Sequence, residues 1–161
     1  MARLVFDSPI GKIEIVGDEN FIHEVEFRSN AVDPIEKAPE LLQRAKKQLE
    51  EYFAGERKNF QLPLQQQGTE FQQKVWNELC RIPYGKTISY LELAQRLGDE
   101  KVIRAAGTAN GKNKIAIIVP CHRVIGSDGS LTGYAGGLHR KEWLLRHEKS
   151  LPGMEQMDLF K

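Results

Sequence analysis

The apolar residues change their spacing at Pro34, and that change limits most strongly what this chain can fold into. Before it they fall two apart. Ile13 and Ile15 alternate with Lys12 and Glu14, and Val25 and Phe27 alternate with Glu24 and Glu26, after the short apolar run Leu4-Val5-Phe6. That period belongs to strands with one buried face. Ser8-Pro9-Ile10-Gly11 and Gly17-Asp18-Glu19-Asn20 are turn chemistry between the runs, so three antiparallel strands are expected. After Pro34, Leu41, Ala45, Leu49 and Phe53 fall four apart, with Leu42 and Tyr52 beside them. This is one face of a helix ending near Gly55. The Gln-rich stretch 56–69, holding Pro63 and Gly68, reads as a crossing linker.

The rest of the chain is expected to be mostly helical. Thr69 is a candidate N-cap, and Gln72 three residues on completes a capping box before the stripe Phe71, Val75, Leu79. Pro83-Tyr84-Gly85 ends that helix. Ser89 caps a second, with Leu93, Ala94 and Leu97 inward and Gly98 as its stop. A third runs from about 101 to 109, giving helix-turn-helix spacing. Ile115 to Val119, between Lys114 and Pro120, is short enough for a buried strand. Glycine-rich 126–137 reads as loop or hairpin. Leu138 to Glu148 is a last helix offering Trp143, Leu144 and Leu145 to the core. The class is α+β, with a domain at 1–68, a second at 69–152 and a loose or partly docked tail at 153–161.

Charge separates the two parts. Residues 1–73 carry a net charge of −4 and residues 74–161 a net of +5, which leaves +1 for the 161-residue chain. Lys101, Arg104, Lys112, Lys114 and Arg123 fall in 101–123 with no acidic residue after Lys101. Such a half suits a polyanion, although a solvated charged face gives the same count. No apolar run approaches the roughly 20 residues of a membrane span. MARLVFDSPIGK lacks the pattern of a signal peptide, and two cysteines make no disulfide framework. An intracellular, cytoplasmic protein with reduced thiols is expected.

The chemistry centres on Pro120-Cys121-His122-Arg123-Val124. Cys80, at the end of an amphipathic helix, suits the buried, inert role that most cysteines have. Cys121 has His122, Arg123 and Lys112 nearby, and positive neighbours lower a thiol pKa. From the residues alone, a reactive and an inert Cys121 both stay open. Zinc is not expected: there is no C-x-x-C, and His23, His122, His139 and His147 lack ligand spacing with the cysteines.

The segment PCHRVIGSDGSLTGYAGGLHRKEWLLRHE at 120–148 resembles the active-site segment of the O6-alkylguanine-DNA alkyltransferases. The likeness runs back through RAAGTANGKNKIAIIVPCHRV at 104–124 and IPYGKTISYLELAQRLG at 82–98. It implies a small ribonuclease-H-like α/β N-terminal domain before a mostly helical, winged helix-turn-helix-like domain. It also implies direct-reversal DNA repair, in which an alkyl group leaves O6 of guanine, and less readily O4 of thymine, for the protein's own cysteine. The partner is double-stranded DNA, approached from the minor groove by a monomer that could cover it cooperatively. No cofactor and no metal is implied, and the zinc ligands of some relatives' N-terminal domains have no counterpart.

Residue by residue, the resemblance makes Cys121 the acceptor and His122 its base acting through water. Glu148 orients that histidine, and Asn113 braces the turn before the acceptor. Tyr90 helps turn the nucleotide outward and donates to N3 of the flipped base. Arg104 fills the gap left in the duplex. Tyr134 and Lys141 line the base pocket, with Lys141 stabilising the leaving guanine. The carbonyls of Cys121 and Val124 accept from the exocyclic amine, and the Ala135 N–H meets O6. Lys101 opens the recognition helix, and Ala105, Ala106, Gly107 and Ala109 allow close approach to DNA. Arg123 is counted with the DNA contacts. Lys114 departs from the proline of many relatives and Ala135 from the serine of some. A thioether product implies one turnover per molecule. The rivals are a non-catalytic alkylated-base-binding protein, which would lack the cysteine, a helix-turn-helix regulator with a sensing cysteine, and an unrelated thiol hydrolase.

Overall fold

The computed structural model describes residues 1–151. The expected tail at 153–161 lies outside the described residues. The chain divides into two compact units, the first Met1–Gln67 with Lys114–Ile118 and the second Gly68–Asn113 with the chain from Val119 onward.

In the first unit, β1 (Ala2–Ser8), β2 (Gly11–Gly17) and β3 (Ile22–Phe27) form an antiparallel sheet in that order. Phe6 faces Ile13 and Ile15 faces Val25 in register, so the alternating apolar residues fall on one buried face. Helix α1 (Glu40–Phe53) covers it with Leu42, Ala45, Leu49 and Tyr52, all fully buried. Glu14 alternates with these residues yet is also buried, because Arg28 (3.1 Å) and Arg3 (3.7 Å) reach its carboxylate.

The run Ile115–Val119 is not the expected strand. Only Ile115 bridges to Val25, through Val25 N–H donating to Lys114 and Ala116 N–H donating to Val25, both at 2.9 Å. The chain then turns, with Ile117 at φ 71°. That is an outlier for a β-branched residue, and the side chain is buried at the turn. An apolar run reads as a strand, but here its residues are shared between two units.

The second unit begins where Gly68 lies against the Trp76 ring, so closely that a Cβ would overlap it. Thr69 caps α2 (Glu70–Leu79) with the reciprocal box expected of Thr69 and Gln72. Thr69→Ala should cost about 1 kcal/mol in chemical denaturation, as lost N-caps do; no change would show the box to be idle. Trp76 lies inward and its Nε1 donates to the Ala109 carbonyl at 2.9 Å. Ser89 caps α3 (Tyr90–Arg96), and Gly98 stops it at φ 98°. A short 3-10 turn at Glu100–Val102 leads into α4 (Ile103–Gly111), completing a helix-turn-helix.

Strand β4 (Ile88–Ser89) pairs in parallel with β5 (Val124–Ile125), and α5 (Leu138–His147) follows the irregular loop 126–137. Leu144 and Leu145 enter the core as expected. Trp143 does not; it is half-buried and stacks on His147 at 4.9 Å. Among the described residues, no helix is long and apolar enough to cross a membrane.

Candidate active site

Cys121 is positioned by backbone. The chain leaves the second unit after Asn113 and returns at Val119, and Asn113 Nδ2 closes that excursion by donating to the Val119 carbonyl at 2.8 Å. Cys121–Arg123 then form a 3-10 turn leading into β5. The thiol is 7% exposed. Its burial pushes its pKa above the ordinary thiol value, against a hydrogen bond with Asn113 and the charge of Lys141. The expected lowering by positive neighbours is therefore overturned. Lys112 is exposed, and the charge of Arg123 is spent elsewhere. The thiol stays protonated at neutral pH and needs a base.

The base expected from the sequence, His122, has partners of its own. His122 Nε2 lies 2.8 Å from Glu148 Oε2. Arg123 grips the same carboxylate with Nε (2.8 Å to Oε1) and a terminal nitrogen (3.1 Å to Oε2). Its other terminal nitrogen donates to the Ile82 carbonyl at 2.7 Å, and the Tyr84 ring lies 5.7 Å from the guanidinium. His122, Arg123 and Glu148 are all buried. Burial holds the His122 imidazole below its ordinary pKa. Burial pushes the Glu148 carboxyl up, but His122 and Arg123 outweigh it and hold Glu148 well below the carboxylate range. The stable arrangement is a neutral imidazole donating from Nε2 to an ionised Glu148. Nδ1 then carries the lone pair, and no group among the described residues is bonded to it. A carboxylate at the C-cap of α5, against the helix dipole, is explained by these two donors.

Arg123 is thus not a DNA contact. Its partner lies 25 residues on, beyond what local charge counting can see. Buried guanidinium and carboxylate neutralise each other and leave little charge for a phosphate.

Beside the thiol, Lys141 is fully buried, and its Nζ donates to Val124 (2.6 Å) and Thr132 (2.8 Å) carbonyls. Burial lowers its pKa to about 8. Tyr90 donates from its hydroxyl to the same Thr132 carbonyl at 3.2 Å. Two helices thereby hold the 126–137 loop at one backbone atom, which nothing in the sequence singled out. The Tyr134 hydroxyl is buried with no hydrogen-bond partner among the described residues, and burial pushes its pKa well up. Ala135 is exposed.

On α4 and the turn before it, Lys101, Arg104 and Ala105 are exposed. Gly107 is half-buried at Tyr90, whose ring would touch an added Cβ at 3.6 Å. Ala106 and Ala109 do not face outward as expected. They are 0% and 3% exposed and pack inside the unit. Cys80 also departs from expectation, being exposed. Sequence reasoning passed over Asn110, which is buried on α4 with its Nδ2 3.4 Å from the Cys121 carbonyl. Among the described residues, no group of three or more His, Cys, Asp or Glu could hold a metal ion.

The family profile "6-O-methylguanine DNA methyltransferase, DNA binding domain" matches residues 70–150, and "6-O-methylguanine DNA methyltransferase, ribonuclease-like domain" matches residues 1–66. A methylated-DNA–protein-cysteine methyltransferase of Methanosarcina acetivorans is 50% identical over 93% of this chain and 99% of its own length. The constitutive protein of that name from Bacillus subtilis is 45% identical over 89% and 92%. Among solved structures, Mycobacterium tuberculosis OGT in complex with DNA superposes with a TM-score of 0.83 at 44% identity, covering 99% of both chains.

Proposed function

Because the chain belongs to the 6-O-methylguanine DNA methyltransferase family, a family of DNA alkyl-repair enzymes, we propose that Cys121 is the acceptor and that His122, Glu148 and Asn113 prepare it. The observation that carries this reading is the buried relay: a protonated thiol, a neutral imidazole with a free Nδ1 lone pair, and an ionised carboxylate behind it. It has the logic of an activated nucleophile. The thiol proton passes through water to His122 Nδ1, and Glu148 steadies the imidazolium. The sulfur attacks the alkyl carbon on O6. An S–C bond forms, the C–O6 bond breaks, and its electron pair stays on O6. The guanine recovers its carbonyl and takes the proton at N1. The thioether has no leaving group that water can displace, so each molecule acts once.

The target atom lies inside a stacked duplex, so the nucleotide must turn out, at a cost of a few kcal/mol. Arg104, exposed in the first turn of α4, is suited to fill the gap, with Lys101 and Ala105 beside it and Gly107 just behind. A monomer approaching from the minor groove, reading shape and phosphates, fits this small exposed face. Tyr90 exchanges the Thr132 carbonyl for N3 of the base. Lys141 stabilises the departing guanine next to Tyr134, and Val124 and Ala135 offer backbone carbonyl and N–H to its edge. The setting is intracellular, where the DNA is.

The test is mass spectrometry after mixing the protein with excess duplex carrying one O6-methylguanine. One methyl group per chain, mapped to Cys121 and not Cys80, is expected. Lesion binding with no adduct would replace this reading with the non-catalytic one. Repeated turnover would replace it with a hydrolase.

A further inference from the structure

Asn110 sits near the end of α4, and its place there is chemically odd. The inward face of the helix is otherwise built from Ala106 and Ala109. Asn110 is 2% exposed, and asparagine is a poor helix former. Its amide is half satisfied. Nδ2 donates to the Cys121 carbonyl at 3.4 Å, and Oδ1 is buried with no hydrogen-bond partner among the described residues. The reverse amide orientation is excluded, since it would point oxygen at oxygen. A buried acceptor without a donor costs stability, and an apolar residue of the same volume would avoid that cost. Local rules broken in a core point to a functional constraint.

The bond explains what the constraint is. A carbonyl has two lone pairs. Asn110 donates to it from inside the unit, and the Val124 N–H donates to it from within the turn. The peptide so held is the one that joins the acceptor Cys121 to its base His122. The other groups on this turn are fixed from different sides: Asn113 holds Val119 (2.8 Å), Lys141 holds Val124 (2.6 Å), and Arg123 holds Ile82 (2.7 Å). Asn110 ties the acceptor's own carbonyl through a side chain, beside the Val124 N–H of the turn itself, and it does so from the helix that carries Arg104.

We propose that Asn110 is a positioning residue for alkyl transfer, fixing the Cys121 peptide from α4 at the expense of stability. The proposal rests on the reading of Cys121 as the acceptor. It acts through the backbone, so its effect is on the transfer step and not on the reactivity of the thiol itself.

The test uses Asn110→Leu, which keeps the branched heavy-atom skeleton and removes both amide groups, with Asn110→Ala beside it. Four quantities are measured on the full chain: single-turnover methyl transfer from an O6-methylguanine duplex, transfer from free O6-benzylguanine, Cys121 alkylation by iodoacetamide, and the thermal midpoint. Asn110→Leu should melt at or above the parent and alkylate at the parent rate. Transfer should slow roughly ten-fold, the worth of one hydrogen bond in a rate, and equally on duplex and free base. Transfer within two-fold of the parent would overturn the proposal. So would slowed transfer accompanied by faster iodoacetamide labelling or loss of the cooperative melt in both variants, since Asn110 would then be only a packing residue. If the parent itself transfers nothing, the reading of Cys121 fails, and that result is separate from any difference between the variants.

Discussion

Cys121→Ser should transfer no methyl group to itself, a loss of at least about 10,000-fold, the scale on which removing a nucleophile from a working relay acts. The substitution changes one buried atom and leaves Asn113, His122 and Glu148 in place, so stability should shift by no more than about 1 kcal/mol. The chemistry fails because the relay is matched to a thiol. Burial already pushes the Cys121 thiol up, and a neutral imidazole can still remove that proton. A hydroxyl is a far weaker acid, and the same burial works against it. The reaction at an sp3 carbon also forms no tetrahedral oxyanion intermediate whose stabilisation could offset a weaker nucleophile. If the outer face of α4 carries duplex affinity, as proposed, that affinity should be retained, which makes the variant a trap for lesion DNA. Mass spectrometry and a binding assay check both halves. A methylated Cys121→Ser chain would move the acceptor to Cys80.

Glu148→Ala should be the most destabilising substitution in the second unit. Three charge-assisted contacts end on this carboxylate. Removing it leaves the Arg123 guanidinium buried and unpaired, which typically costs 3–5 kcal/mol, or roughly 6–20 °C in midpoint. Replacing Arg123 and Glu148 together by apolar residues of similar volume should recover much of that stability without restoring transfer, because His122 would still lack its partner. The pH dependence follows from the same groups. Folded His122 resists protonation, while the unfolded imidazole takes a proton as pH falls past about 6.5. Folded Glu148 likewise stays ionised where the unfolded carboxyl protonates, below about 4.5. In both cases the unfolded chain binds more protons, so stability falls as pH falls. The gap between the parent and Glu148→Ala should narrow as pH drops through 4.5 and below. Denaturant midpoints from pH 8 down to about 2 check this, and a gap constant across that range would show that the carboxylate is not held ionised by its partners.

What the sequence revealed was local or familial. Thr69 with Gln72, Ser89 and Gly98 carry their cap chemistry within a few residues, so the helix limits could be read. The alternation of Ile13, Ile15 and Val25 set the sheet register for the same reason. Cys121, His122 and Glu148 were found by motif, and their charge states were not, because burial has no local signature. Arg123 looked like one more basic residue because its partner lies far along the chain. Ala106 and Ala109 looked like a DNA-facing stripe, since small residues suit a helix packed inward equally well. Ile115 to Val119 misled because its apolar run serves two units in succession.

One feature of the site changes how its mutants should be interpreted. The acceptors that fix Cys121 and its loop are backbone carbonyls: Val119, Cys121, Val124, Thr132 and Ile82. Every residue type brings a carbonyl. Side-chain scanning will therefore register the donors, Asn113, Asn110, Lys141 and Arg123, and pass over the atoms they hold. Thr132 is the clearest instance, receiving both Tyr90 and Lys141 on an oxygen that its side chain does not own. Neither bond depends on which side chain position 132 carries. Only a change to the main chain itself, such as an ester in place of the amide that follows, would expose the dependence.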